Sequence, residues 1–470
     1  MAELGTLDSG FLELEDTDRH VSAGIGVVAI VAGPPPDRAE FIAEFGRRLT
    51  VDQRMRQRVR TARWDLAAPH WDDDPDFDIA RHIRWMAVPR PHDDKALFEL
   101  VATMMEQRLD RDHPLWQCVV VERLAGDRWA MLVKAHHSMV DGMSGIALFE
   151  RLCDSSDVEP PPRGRAGRMA SLRDSVLTGL RLPVAAPRIV FGTLRSAVPL
   201  VTNILRPAPD TSLNGPIGRQ RRYAVARTSL SDVREIGAAF GATVNDVALA
   251  ALTEAFRTVL LSRGEDPAAE EVRILAPVST RPSGARATLG NQVSIMLPVL
   301  PVHLGDPVEQ LAAVHTETSQ HKSSGEVQAT NTVLTLAGLL PFAPLARIVK
   351  LACRFPQHSI AGLATNVRGP KQRLFFQERE VLELSAYVPI AMRLRTGIGI
   401  LSYDDQLRFG ITGDFDGTPE VDVLARGIED AVGRLLRRVR ETGEQPSPIP
   451  RDRGAAARRE HDLPAPSGRR

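Results

Sequence analysis

Residues 129–145 read WAMLVKAHHSMVDGMSG. An apolar run of strand-forming residues ends in two adjacent histidines, an aspartate and a glycine follow, and SGIALFERL continues with helical spacing. The pattern predicts strand, turn and helix, with the chemistry at the end of the strand. Successive side chains of a strand point to opposite faces, so His136 and His137 are not expected to reach one ion. No HExxH pair or cysteine cluster stands elsewhere, and the acidic run DDDPDFD at 72–78 lacks the glycine and glutamate offsets of an EF-hand loop. No metal is therefore expected. A serine nucleophile is disfavoured too, because GMSG lacks the residue between Ser144 and the second glycine that a G-x-S-x-G elbow requires.

What remains is one histidine at a strand end. With an unperturbed pKa of about 6.5, His137 is largely neutral near pH 7 and can take a proton from an attacking hydroxyl and return it to a leaving group. A histidine that only fills an interface is the alternative. Asp141 stands where it can cap the following helix or pair with an arginine, and Gly142 suits a tight backbone.

The whole chain bounds these readings. Its 470 residues allow several domains, and 43% hydrophobic with 25% charged residues is ordinary globular composition. A formal net charge of zero offers no global field for nucleic acid, and none is expected as a partner. Cys118, Cys153 and Cys353 are widely spaced and odd in number, which argues against a disulfide framework. The acidic N-terminus lacks the basic and apolar regions of a signal peptide, so a cytoplasmic chain is expected. No apolar run reaches the ~18 residues of a membrane span. VLTLAGLLPFAPLA at 333–346 comes nearest, and reads as a buried helix pair or as an apolar surface touching lipid.

An α/β fold is expected in two halves. Residues 1–153 alternate strand-like runs such as AGIGVVAIV with helical ones such as RAEFIAEFGRRL and KALFELVATMMEQRL. A proline- and arginine-rich crossover follows over 154–212. The second half, 213–443, carries a helix from Thr243 stopping near Gly264, four strand-like runs, VRILAPVS, NQVSIMLPVLP, RTGIGILSY and QLRFGITGDF, and a closing helix VDVLARGIEDAVGRLLRRV. Residues 444–470 read as a disordered tail.

Several stretches occur in an order that resembles the bacterial wax ester synthase/diacylglycerol acyltransferase family, within the CoA-dependent acyltransferase superfamily. They are LDSGFLELE, FDIARHIR, LDRDHPLW, KAHHSMVDG, LNGPIGRQRR, TVNDVALA, PVSTR, LGNQVS and TNVRGP. The resemblance implies two chloramphenicol-acetyltransferase-like subdomains with mixed sheets, a long crossover linker and an active-site channel between them. It implies His137 as the catalytic base, with His136, Asp141 and Gly142 in support. Arg56 is the expected ion-pair partner of Asp141, with Arg281 as the fallback. Asn245 and Asp246 of the ND pair are expected to line the channel or hold the oxyanion, with helix capping as the alternative. The family usually has proline where this chain has Arg368, and YDG where it has YDDQ; these departures bear on acceptor preference and loop geometry.

The function so implied is direct O-acylation of diacylglycerol, of a long-chain alcohol, or of both. Acyl-CoA is then a co-substrate, no cofactor is needed, and no acyl-enzyme forms. The insoluble acceptors imply peripheral contact with the inner membrane or a lipid droplet. Two alternatives stand beside it: a condensation-like enzyme using a carrier-bound thioester, and a non-catalytic lipid-binding or droplet protein.

Overall fold

The computed structural model describes residues 2–49, 52–61, 68–154, 211–268, 272–279, 293–323 and 360–441. Nearly all of the expected crossover, the apolar stretch 333–346, Arg281, Cys353 and the tail from 444 lie outside the described residues.

In the first half the elements are β1 (Ala2–Glu3), α1 (Thr6–Thr17), β2 (Gly24–Ala32), α2 (Arg38–Leu49), β3 (Gln57–Arg60), β4 (His70–Asp73), α3 (Ile79–His82), β5 (Ile83–Met86), α4 (Asp94–Glu106), β6 (Trp116–Leu124), β7 (Arg128–His136) and α5 (Gly142–Leu152). The second half comprises β8 (Arg221–Ser229), α6 (Leu230–Phe240), α7 (Val244–Ser262), β9 (Val272–Ser279), β10 (Val293–Met296), β11 (Val299–Leu300), α8 (Pro307–Ser323), β12 (Gly362–Arg368), β13 (Phe375–Phe376), β14 (Arg379–Tyr387), β15 (Thr396–Tyr403), β16 (Gln406–Asp414) and α9 (Val421–Glu441).

Local chemistry accounts for several of these boundaries. In α2, Phe41, Phe45 and Leu49 recur every fourth residue and are the buried positions. Helix α7 opens on a reciprocal capping box: the Thr243 side chain accepts from the Asp246 N–H, and the Asp246 carboxylate accepts from the Thr243 N–H. The glycine expected to stop this helix, Gly264, takes a left-handed φ of 77° just past its end.

Two mixed sheets form the framework. One runs β13-β14-β2-β7-β6-β5, and the other β10-β9-β12-β15-β16-β8 with β11 beside β9. Strand β12 lies parallel to both β9 and β15, and β5 lies parallel to β6. The α/β class with mixed sheets is as expected. A division at residue 213, however, is not a division in space. Strand β14 pairs antiparallel with β2, bringing Leu384 opposite Ala29 and Tyr387 opposite Gly26. The cause is apolar: Phe376 packs its ring on Phe41 and Trp129, with centroids 5.3 and 6.0 Å apart, in the first half's core. The second half thus completes the sheet that carries the histidines.

The YDDQ departure is accommodated in the turn between β15 and β16. Asp404 adopts a φ of 49°, and Asp405 accepts hydrogen bonds from the Ser231 N–H at 2.8 Å and from the Ser229 and Ser231 hydroxyls, at the start of α6. Among the described residues no single helix is long and apolar enough to cross a membrane. Helices α6 and α7 together are long and apolar enough, but the pair is bent by 101°. Most of its apolar residues, among them Leu230, Val233, Val259 and Leu260, are buried in the second half's core, and Leu261 is exposed.

Candidate active site

Strand β7 lies between β2 and β6, and its end is pinned from both sides. The His136 N–H donates to the Leu115 carbonyl and the His137 N–H to the Ala23 carbonyl, each at 2.9 Å. The two bonds run in opposite directions, as alternation along a strand requires. The side chains diverge accordingly, so the expectation that they cannot share an ion agrees with their placement. No group of three or more His, Cys, Asp or Glu placed to hold a metal ion occurs among the described residues.

His137 faces a cavity of about 90 Å³ whose walls come from both halves: Ile25, Val27 and Ala135 from one, Thr365, Val367 and Val388 from the other. The lining is almost wholly apolar. Phe11 of α1 lies flat on the imidazole, with ring centroids 4.0 Å apart and planes 9° from parallel. Nδ1 is buried without a well-formed hydrogen bond and interacts with the residue's own carbonyl, which leaves Nε2 for the cavity. Burial lowers the pKa to about 4, because a charged ring would lose its hydration; the neighbouring Asp141 carboxylate opposes the shift only in part. The ring is neutral near pH 7.

His136 turns to the other face and is fully buried. Its Nδ1 accepts from the Ser138 N–H at 3.1 Å and lies 2.7 Å from the Ser138 hydroxyl, which places the ring proton on Nε2. That nitrogen lies 3.7 Å from the Glu15 carboxylate. Ser138, His136 and Glu15 superficially resemble a hydrolytic triad. They are 3%, 1% and 2% exposed, and none lines the cavity, so the trio is structural. Glu15 also accepts from the Ala23 N–H at 3.0 Å and from Arg111 at 2.9 Å. Its pKa falls to about 2 despite burial, because His136, Ala23 and Arg111 favour the carboxylate. Lys134, two residues before His136, is buried on the same face and donates to the carbonyls of Met104, Met105 and Gln107 at the end of α4.

Asp141 caps α5, its carboxylate accepting the Ser144 N–H at 2.7 Å. The expected ion pair with Arg56 does not form. Arg56 is exposed and faces Asp73, whereas Asp141 is 5% exposed and turned into the helix end. Gly142 has no left-handed φ; a Cβ there would stand 2.9 Å from Val367 Cγ2, so close packing of α5 on β12 is what demands glycine.

The ND pair divides. Asp246 is a structural anchor: besides the capping box it accepts from the Thr318 hydroxyl at 2.7 Å and contacts His315 Nδ1 at 2.9 Å, fastening α8 to α7. Its carboxylate is buried and is not on the cavity wall. Asn245 accepts from the Asn366 amide at 3.3 Å. Asn366 lies between Thr365 and Val367 on β12 and so points to the face away from the His137 cavity; Asn245 is not on the cavity wall.

Two residues at the site escaped individual notice in the sequence, Phe11 and Glu15. The signal was present in LDSGFLELE, where positions 11 and 15 share a helical face.

Comparison with known proteins follows the same outline. A wax ester synthase/diacylglycerol acyltransferase catalytic domain matches residues 4–248, and a WS/DGAT C-terminal domain matches 289–435. The chain is 44% identical to a "probable diacylglycerol O-acyltransferase" of Mycobacterium tuberculosis over 445 residues, covering 93% of this chain and 96% of that one. It is 26% identical to an O-acyltransferase of Acinetobacter baylyi over 92% and 96% of the two chains. Among solved structures, the wax ester synthase/diacylglycerol acyltransferase of Marinobacter aquaeolei shares the fold with a TM-score of 0.65 at 23% identity, over 93% of this chain and all of that one.

Proposed function

We propose direct acyl transfer from a CoA thioester to a hydroxyl for this chain, which belongs to the wax ester synthase/diacylglycerol acyltransferase family. The observation that carries the reading is a neutral His137 on the wall of an apolar cavity built jointly by both halves. His137 Nε2 accepts the hydroxyl proton as the oxygen attacks the thioester carbon. The new C–O bond forms, the C–S bond breaks, and the proton passes from the imidazole to the departing sulfur. A placed base is worth about 10²–10⁴-fold. No covalent acyl-enzyme is required, and Ser138, Cys118 and Cys153 are buried away from the cavity.

The acceptors proposed are diacylglycerol and long-chain alcohols, in keeping with the family's name and with an apolar lining. At about 90 Å³ the cavity is far below the roughly 300–1,000 Å³ usual for ligand sites, so a long chain enters only if the walls part. The seam between α5 and β12 is the proposed opening. Asn245 is proposed to line the acceptor path beyond the cavity wall rather than to hold the oxyanion. Substrates of this kind reside in lipid, so peripheral contact with the inner membrane or a droplet from the cytoplasm is proposed with the activity.

The test is product formation from labelled palmitoyl-CoA with diacylglycerol and with hexadecanol, in the native enzyme and in His137→Ala. Triacylglycerol or wax ester made by the native enzyme and lost in the variant supports the reading. Turnover only with a carrier-bound thioester would favour a condensation-like enzyme, and lipid binding that is indifferent to His137 with no product would favour a non-catalytic role.

A further inference from the structure

Helix α1 touches both histidines at the end of β7. Phe11 and Glu15 are one helical turn apart on the same face. Phe11 stacks on His137, while Glu15 receives the Ala23 N–H and Arg111 and approaches His136. Ala23 in turn accepts the His137 N–H, so the same residue ties Glu15 to the backbone of the base. Arg108 fixes the end of the helix by donating to the carbonyls of Asp18 at 2.7 Å, Val21 at 2.9 Å and Glu15 at 2.5 Å.

The placement of Phe11 is not that of a core residue. It is only half-buried, although a phenyl ring there covers one whole face of an imidazole. A flat aromatic cover does two things to a neutral ring. It restricts rotation about χ2, whose well is otherwise broad, and it keeps water off that face.

We propose that α1 is a positioning element for the transfer: Phe11 holds His137 in the orientation that presents Nε2 to the cavity, and Glu15 anchors the helix that carries Phe11. Neither touches the reacting atoms; both act through His137. The proposal rests on His137 being the base, and it adds how that base is aimed and kept dry. A purely structural α1 would also bury apolar area, but it would have no need of a stacked aromatic at position 11.

The experiment compares Phe11→Leu, which keeps apolar bulk but loses the plane, with Phe11→Tyr, which restores it, and with Glu15→Gln, which keeps an acceptor for Ala23 but removes the charge facing Arg111. Two readouts are taken on the full chain: acyl transfer from palmitoyl-CoA, and the His137 titration by NMR of histidine-labelled protein, assigned by its loss in His137→Ala. In Phe11→Leu, kcat should fall on the order of 10- to 100-fold, as misplacement of a catalytic group does. KM for acyl-CoA should change little, and the His137 titration should move up toward the ordinary histidine range. Phe11→Tyr should restore both, and Glu15→Gln should reproduce the direction of both changes more weakly. The proposal is overturned by a Phe11→Leu enzyme with native kcat, or by one whose kcat falls while the titration stays put. Should the native enzyme transfer no acyl group to any acceptor, the functional reading fails by itself, and the titration still decides whether α1 shields His137.

Discussion

Val367 Cγ2 lies 2.9 Å from the point where a Cβ on Gly142 would stand. Val367 is 9% exposed and stiff at χ1, so it has little freedom to retreat. Gly142→Ala is expected to cost about 1–3 kcal/mol by overpacking the contact of α5 with β12. Chemical denaturation of Gly142→Ala, Val367→Ala and the double variant checks it. Recovery of most of the loss in the double variant is the expected result, and simple additivity would show that the contact is not the cause.

The pH profile follows from the environment of His137. Burial holds its pKa near 4, so the acid limb of kcat/KM, which reports the free enzyme, should fall well below the pH of an ordinary histidine. Activity should be nearly flat from about pH 5.5 to 7.5 on this account. A limb centred near pH 6.5 would mean that the ring is hydrated in solution.

Stability should respond to pH through the same ring, with the sign set by linkage. Below about pH 6.5 the unfolded chain takes up a proton on this histidine, while the folded chain does so only near pH 4, so the contribution disfavours folding progressively over that window. Glu15 acts lower: its stabilising contribution is complete above its unfolded pKa near 4.5 and is lost as the pH falls toward about 2. The melting temperature of His137→Ala should therefore decline less between pH 7 and 4.5 than that of the native protein.

Removing the Asp141 cap separates two roles that a motif alone merges. Asp141→Ala should lose about 0.5–2 kcal/mol or more through the freed Ser144 N–H, whereas Asp141→Asn keeps an acceptor and should lose less. Arg56→Ala should leave both stability and turnover within about 0.5 kcal/mol of native, since the residue is exposed and does not pair with Asp141. Thermal melts and a standard transfer assay on the three variants decide the matter.

The ND pair makes a parallel contrast. Asp246→Ala strips the capping box and the Thr318 and His315 contacts at once, and should destabilise by more than about 2 kcal/mol. Asn245→Ala should leave the melting temperature close to native. A large loss of kcat in Asn245→Ala, with acyl-CoA binding unchanged, would return an oxyanion role to this residue.

Much of the architecture was readable before any coordinates. The apolar periodicity of RAEFIAEFGRRL marked α2 to the residue, and the run ending in KAHH marked β7. The period-two geometry of a strand was enough to part His136 from His137 and to set aside a shared metal. Thr243 and Gly264 bracketed α7 because capping and left-handed backbone are local demands, met by residues close in sequence.

What only tertiary structure decided are relations between residues far apart in the chain. No local pattern says that β14 joins β2, that Val367 presses on Gly142, or that Phe11 lies on His137; periodicity names the face a side chain occupies, and packing chooses the partner. Asp141 shows the limit most clearly, because its residue type suits a cap and an ion pair equally well. In the structure it caps α5, and Arg56 stays in solvent and is not its partner. The basicity of His137 was equally unreadable, since it depends on how far the surrounding apolar side chains exclude water from the ring.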